Sequence, residues 1–233
     1  MAGNLNEPLG IYEQLWQEAV TAFGRGEPRL DPFLKNRAGD QRWGITLVAR
    51  PNSKVRSRVE QLLRDMAKVA PGQHFYQPAE FHLTVFSIIP GSEFWRESLP
   101  ELPGQLAVLD EVLRNRPAFT VAFRGVTASP EAVMIQGFLA GSALAELRDD
   151  LRTALSQRGL GKNLDRRYKI MAAHLTVVRF ATPMTDWKPL KMLLASHRNT
   201  DFGESQIRSL ELVESDWYAS ANTVRLLREY PLL

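Results

Sequence analysis

Two identical tetrapeptides offer the most chemistry in this chain: His82-Leu83-Thr84-Val85 and His174-Leu175-Thr176-Val177. They use two of the four histidines in 233 residues, which makes coincidence a weaker explanation than it would be for common residue types. Each tetrapeptide reads as part of a strand, where positions i and i+2 share a face. His82 and Thr84 then point one way, while Leu83 and Val85 point into a core; the second copy repeats the pattern. A pair of imidazoles flanking one electrophile suits in-line phosphoryl transfer between oxygens. One neutral histidine takes a proton from the attacking hydroxyl or water, and one protonated histidine gives a proton to the departing oxygen. An unperturbed pKa of roughly 6.5 keeps both forms within reach near neutral pH. The threonine hydroxyls can donate to the non-bridging oxygens, with no metal required.

The elements that must position these residues follow an order that repeats. Apolar spacing predicts a strand over 43–48, a helix over 53–70 carrying Val55, Val59, Leu62, Leu63, Met66 and Val69, and a strand over 81–89. A helix marked by Leu106, Leu109, Val112 and Leu113 and a strand over 119–126 complete the series. The second series has a strand over 132–140, a helix over 143–158, a strand over 173–180, a helix over 187–197 and a strand over 207–213. A last strand over 224–230 follows a turn containing Ser220 to Asn222. Recurrence at a nearly fixed shift predicts an internal duplication. The expected fold is α+β: a two-lobed, duplicated β-α-β-α-β with a central cleft, plus an N-terminal helical extension. Residues 42–127 are expected to form the first lobe and 128–233 the second, so that a pseudo-twofold would face the two His-x-Thr pairs across the cleft. Residues 1–41 form the extension, an amphipathic helix over 7–24 followed by a Gly/Pro-punctuated loop over 24–41.

Composition narrows the function classes. Apolar residues at 44% and charged residues at 24% describe an ordinary globular chain. The absence of cysteine removes disulfides, thiolate zinc sites and a cysteine nucleophile. A net charge of +3 is compatible with an anionic substrate without demanding one. Residues 1–7 lack the basic flank and apolar run of a signal peptide, and no stretch approaches the roughly 18 apolar residues of a membrane span. The expectation is a soluble cytoplasmic protein with no membrane contact and no obligate protein partner.

The two His-x-Thr-hydrophobic signatures, and the order of elements around them over roughly 43–230, resemble the 2H phosphoesterase superfamily. That group includes RNA 2′,3′-cyclic phosphodiesterases and the so-called 2′-5′ RNA ligases. The resemblance implies His82 and His174 as the acid/base pair, Thr84 and Thr176 as phosphate ligands, no metal and no cofactor. It also implies a nucleotide or RNA end bearing a cyclic or 2′-linked phosphate as the binding partner. Arg179, shortly after the second motif, resembles an arginine of the bacterial ligase-like members. Strand alternation nevertheless puts it on the face opposite His174, so a phosphate contact needs a bulge or the strand's end. Ser87 takes the corresponding place after the first motif.

Further candidates are weaker. Lys162, Arg166, Arg167, Tyr168 and Lys169 form a basic loop before the second motif that could hold an RNA backbone and stack a base on Tyr168. Trp217 and Tyr218 are candidate base platforms, although large aromatics near a turn often cover core instead. His74 and His197 read as structural or solvent-facing. The run Gly159-Leu160-Gly161-Lys162-Asn163 lacks the first glycine and the Ser/Thr of a phosphate loop, and there is no H-E-x-x-H or G-x-S-x-G motif. The sequence leaves hydrolysis, ligation and nucleotide binding without turnover open, together with a scaffold role for residues 1–24.

Overall fold

The computed structural model describes residues 6–162, 164 and 172–233. Among them, five helices form where the apolar stripes predict them: α1 (Asn6–Arg25), α2 (Ser53–Val69), α3 (Leu102–Val112), α4 (Ala143–Gln157) and α5 (Lys188–Ser196). In α2 the buried residues Val55, Val59, Leu62, Leu63 and Met66 recur at helical spacing, and Asn52 caps the first turn by accepting from the Val55 amide at 3.0 Å. Nine strands among the described residues complete the fold: β1 (Trp43–Ala49), β2 (His74–Phe75), β3 (Leu83–Ser92), β4 (Phe119–Ala128), β5 (Ala132–Leu139), β6 (Ala173–Arg179), β7 (Asp201–Ile207), β8 (Ser209–Asp216) and β9 (Arg225–Pro231).

The strands make one antiparallel sheet in the order β7-β4-β5-β6-β3-β1-β8-β9, with the short β2 added to β6. The duplication is visible in the spacing. Trp43 and Ala132, Ser53 and Ala143, Leu83 and Ala173, and Phe119 and Ser209 open equivalent elements 89 or 90 residues apart. The sheet order is symmetric about the β6–β3 junction, with β5 answering β1 and β4 answering β8. The lobes are not consecutive in the chain, however. The half-sheet β3-β1-β8-β9 combines both ends of the body, and β7-β4-β5-β6 takes the middle. The boundary expected at residue 127 therefore falls inside one half-sheet, because each repeat sends its last strand across to pair with the other repeat.

One face of the sheet carries the core. Ile45, Leu47, Leu83, Val85, Leu175, Val177 and Leu212 pack with the buried residues of the helices. The other face carries the cleft. The extension behaves differently from the loop expected over 24–41. Two short 3-10 turns, Pro32–Leu34 and Arg37–Gly39, punctuate it. It is strapped across the sheet end by amides of Arg29 and Asp31, which donate to the carbonyls of Pro130 (2.8 Å) and Phe180 (2.9 Å). Helix α1 docks through buried Tyr12, whose hydroxyl hydrogen-bonds the carbonyl of Gly137 at 3.1 Å. No helix among the described residues is long and apolar enough to cross a membrane.

Candidate functional site

The two motifs meet at the junction of the half-sheets. Strands β3 and β6 pair antiparallel at Leu83 and Leu175 alone. In an antiparallel register this sets His82 opposite Thr176 and Thr84 opposite His174. Since Leu83 and Leu175 are fully buried in the core, the two histidines and two threonines all face the other way. The histidines occupy a diagonal of this square, with backbones about 7–8 Å apart. All four side chains line one cleft of about 270 Å³, with Arg179, Tyr76 and Trp217 on its walls.

Beyond the bridging pair, both strands contain a bulge at the same place. Along β3 the register to β1 passes from Thr84 opposite Val48 to Phe86 opposite Leu47, which leaves Val85 unpaired. Along β6 the register to β5 passes from Thr176 opposite Met134 to Val178 opposite Val133, which leaves Val177 unpaired. An extra residue reverses the alternation that follows it. Val85 with Phe86, and Val177 with Val178, are consecutively buried, and Ser87 and Arg179 turn onto the cleft face. The bulge thus supplies what strand alternation denies Arg179. The carbonyls displaced by the bulges find other donors. Val177 accepts from the Tyr76 amide at 3.1 Å, and Val85 accepts from Arg148 Nε at 2.9 Å.

Arg148 holds the junction together from beneath. It lies on α4, is 3% exposed, and its Nη2 donates both to the Thr84 carbonyl at 2.8 Å and to the Ala172 carbonyl at 3.2 Å. One guanidinium therefore ties the backbone of the first motif to the residue leading into β6.

The electrostatics differ between the two imidazoles. His82 Nδ1 lies 2.8 Å from the Glu80 carbonyl, which fixes a proton on Nδ1 and leaves Nε2 as the free lone pair. His174 Nδ1 is buried without a hydrogen-bond partner among the described residues. Burial pushes both pKa values down to about 4; Arg148, His82 and Arg179 add to the effect at His174, while the Glu80 carbonyl partly opposes it at His82. Burial also works against the charge of Arg179, but Tyr76, whose hydroxyl accepts from Nε at 2.9 Å, leaves its pKa raised. Among the described residues, no three His, Asp or Glu side chains gather to hold a metal ion.

No family model and no curated protein matches the sequence. Solved structures do match. TT0787 of Thermus thermophilus aligns at 19% identity and a TM-score of 0.59, over 81% of this chain and 97% of its own. A phosphoesterase aligns at 14% and 0.54, over 81% and 98%. LigT of E. coli, solved with 3′-AMP, aligns at 15% and 0.50, over 82% and 98%. This chain shares its fold with these structures. LigT is almost wholly covered, while 18% of this chain, about 42 residues, has no counterpart in it.

Within this frame the structure brings together His82, His174, Thr84, Thr176, Arg179 and Trp217. Tyr218 also borders the cleft but is only 2% exposed. Its ring is covered by Arg37, 4.5 Å from the centroid, and its hydroxyl donates to Asp31 at 2.9 Å. It is a buried anchor and offers no open face to a base. Tyr168, with Arg166, Arg167 and Lys169, lies outside the described residues. His74 packs edge-on to Tyr76 and Tyr218 beside Arg37, and His197 bonds Thr200 at 2.9 Å. The sequence reading missed Tyr76, Arg148 and the strap. Arg148 had a signal: it falls on the apolar stripe formed by Leu144, Leu147, Leu151 and Leu155, where a solvated arginine does not belong.

Proposed function

We propose that this protein is a phosphodiesterase that opens 2′,3′-cyclic phosphates or cleaves 2′-5′ phosphodiesters in small nucleotides or RNA ends. The observation that carries the proposal is the square of two imidazoles and two hydroxyls on one face of the β3–β6 junction, lining a single cleft. In the opening of a cyclic phosphate, His82 Nε2 takes the proton of the attacking water. The P–O bond to one ribose oxygen breaks, and His174 protonates that oxygen as it leaves. Thr84 and Thr176 donate to the non-bridging oxygens, and Arg179 offsets the charge gathering there.

The low pKa of both rings favours a second reading, nucleotide binding without turnover, because at rest neither ring holds the acid's proton near neutral pH. A phosphodiester anion seated between the rings counters this by stabilising the protonated form. LigT solved with phosphate and with 3′-AMP supports an anion and a nucleotide in this fold. The test is a panel of 2′,3′-cyclic nucleotides and 2′-5′ dinucleotides, with products identified by regiochemistry. Turnover to a single monophosphate isomer is the expected result, and bound nucleotide recovered intact would establish the binding reading.

A further inference from the structure

Two carbonyls lead into His174, and side chains distant in sequence hold both of them. Arg148 Nη2 on α4 donates to the Ala172 carbonyl at 3.2 Å. The Tyr12 hydroxyl on α1 hydrogen-bonds the Ala173 carbonyl at 2.5 Å. That second carbonyl belongs to the same planar peptide unit as the His174 amide, so fixing it fixes the direction in which the strand delivers the imidazole. The hydroxyl is spliced into the sheet. Its proton lies between the carbonyls of Ala173 and, at 3.1 Å, Gly137, while its oxygen accepts from the Gly137 amide at 3.2 Å. Gly137 and Ala173 are register partners of β5 and β6, and a Cβ on Gly137 would fall 2.5 Å from the Ala173 oxygen. Register also puts α1 on the face of the site. Gln136 pairs with His174, Met134 with Thr176 and Thr127 with Met134, so all three share the cleft face. All three are buried there, and Thr127 Oγ1 donates to the Tyr12 carbonyl at 2.9 Å. Burial pushes the pKa of the Tyr12 hydroxyl up to about 12, so it stays a donor throughout the range in which the imidazoles titrate.

We infer that Tyr12 is a positioning residue for His174: its hydroxyl holds the peptide plane that enters His174, which makes the N-terminal helix a working part of the site. The inference rests on the phosphodiesterase reading above and names what holds one of its two proton-transfer groups. His82 needs no such support, because its Nδ1 is anchored to the Glu80 carbonyl only two residues away. His174 Nδ1 has no hydrogen-bond partner among the described residues. Its ring therefore takes its orientation from the backbone, and the backbone takes it from Arg148 and Tyr12. Removing the hydroxyl disturbs one imidazole and spares the other.

Tyr12→Phe in the full chain is the test. Phenylalanine keeps the ring packed edge-on to Phe138, 5.6 Å between centroids, and removes only the hydroxyl. On a 2′,3′-cyclic nucleotide kcat is expected to fall about 10- to 100-fold, the cost of a misplacement of up to about 1 Å, with KM within about twofold. Gly137→Ala crowds the same carbonyl while leaving Tyr12 in place, and is expected to reproduce the loss. Thr127→Val removes a different buried link between α1 and the sheet; it is expected to cost stability and leave kcat within about twofold. Histidine NMR titrations read the same positioning without turnover. The His174 signal, identified by its absence in His174→Ala, is expected to titrate about half a unit or more higher in Tyr12→Phe as the ring gains water, while the His82 signal stays. The substitution changes no charge and leaves Arg148, His82 and Arg179 around His174, so the shift reports the surroundings of the ring. Wild-type kcat in Tyr12→Phe or Gly137→Ala, an unmoved His174 signal, or an equal loss of kcat in Thr127→Val would overturn the inference. A wild-type protein without turnover would defeat the phosphodiesterase reading alone, and the titrations would still decide this one.

Discussion

Replacing Arg148 by methionine tests how the motifs are held in place. The substitution keeps an unbranched, buried side chain and removes the donors to the carbonyls of Val85, Thr84 and Ala172. A buried acceptor stripped of its partner costs ~1–3 kcal/mol, and relief from burying a charge returns part of the total. A net loss of ~2–4 kcal/mol follows, which for a chain of this length lowers Tm by roughly 5–15 °C. The larger effect falls on catalysis. Arg148 couples the Thr84 backbone to the entry of β6, so without it the two histidines lose their spacing, and a misplacement of about 1 Å costs on the order of 100-fold. Removing a cation that lowers the His174 pKa also lets that pKa rise, moving the pH optimum upward. Steady-state kinetics on a 2′,3′-cyclic nucleotide across pH, run at a temperature where circular dichroism shows the variant folded, reads both effects. A folded Arg148→Met enzyme with wild-type kcat and an unmoved optimum would refute the reasoning.

Two further outcomes follow from the cleft. Arg179→Ala removes the cleft-facing guanidinium at the β6 bulge and should lower kcat/KM by about 10- to 100-fold, the worth of a charge-assisted hydrogen bond to phosphate; activity within twofold of wild type would place the arginine outside the reaction. The pH dependence is set by His82 and His174, whose pKa values fall from 6.5 to about 4 in the folded chain, as does that of His74. The unfolded chain then binds more protons between those limits, so stability to urea should decline as pH drops from 6.5 to 4, and below that the lowered carboxylates of Asp40 and Asp110 carry the decline further. The kcat/KM optimum of the free enzyme should likewise lie on the acid side of 6.5, and an optimum above 7 would contradict the buried-imidazole picture.

The parts of this site written in local sequence were legible, and those that depend on pairing were not. His82-Leu83-Thr84-Val85 and His174-Leu175-Thr176-Val177 announce their shared face because alternation is a property of any strand. The helices were equally plain, since stripes such as Val55, Val59, Leu62 and Met66 have only one helical interpretation. Arg179 could not be placed, because the bulge at Val177 exists only in register with β5. The exchange of strands between half-sheets was invisible for the same reason: sequence order gives succession, and pairing is decided across the whole sheet. Strand β7 was missed because this edge strand buries only Phe202 and Ile207 as large apolar side chains. The strap reads as a loop by composition, and its order comes from long-range partners, Asp31 with Tyr218 and Arg42 with Trp217.

The most direct test of the paired-imidazole mechanism is kcat/KM for a 2′,3′-cyclic nucleotide in His82→Ala and His174→Ala, measured beside nucleoside 3′-monophosphate binding. General acid–base catalysis contributes about 10²–10⁴-fold per group, so each single variant should lose at least about 100-fold while still binding the nucleotide. Full turnover in either variant would contradict the account.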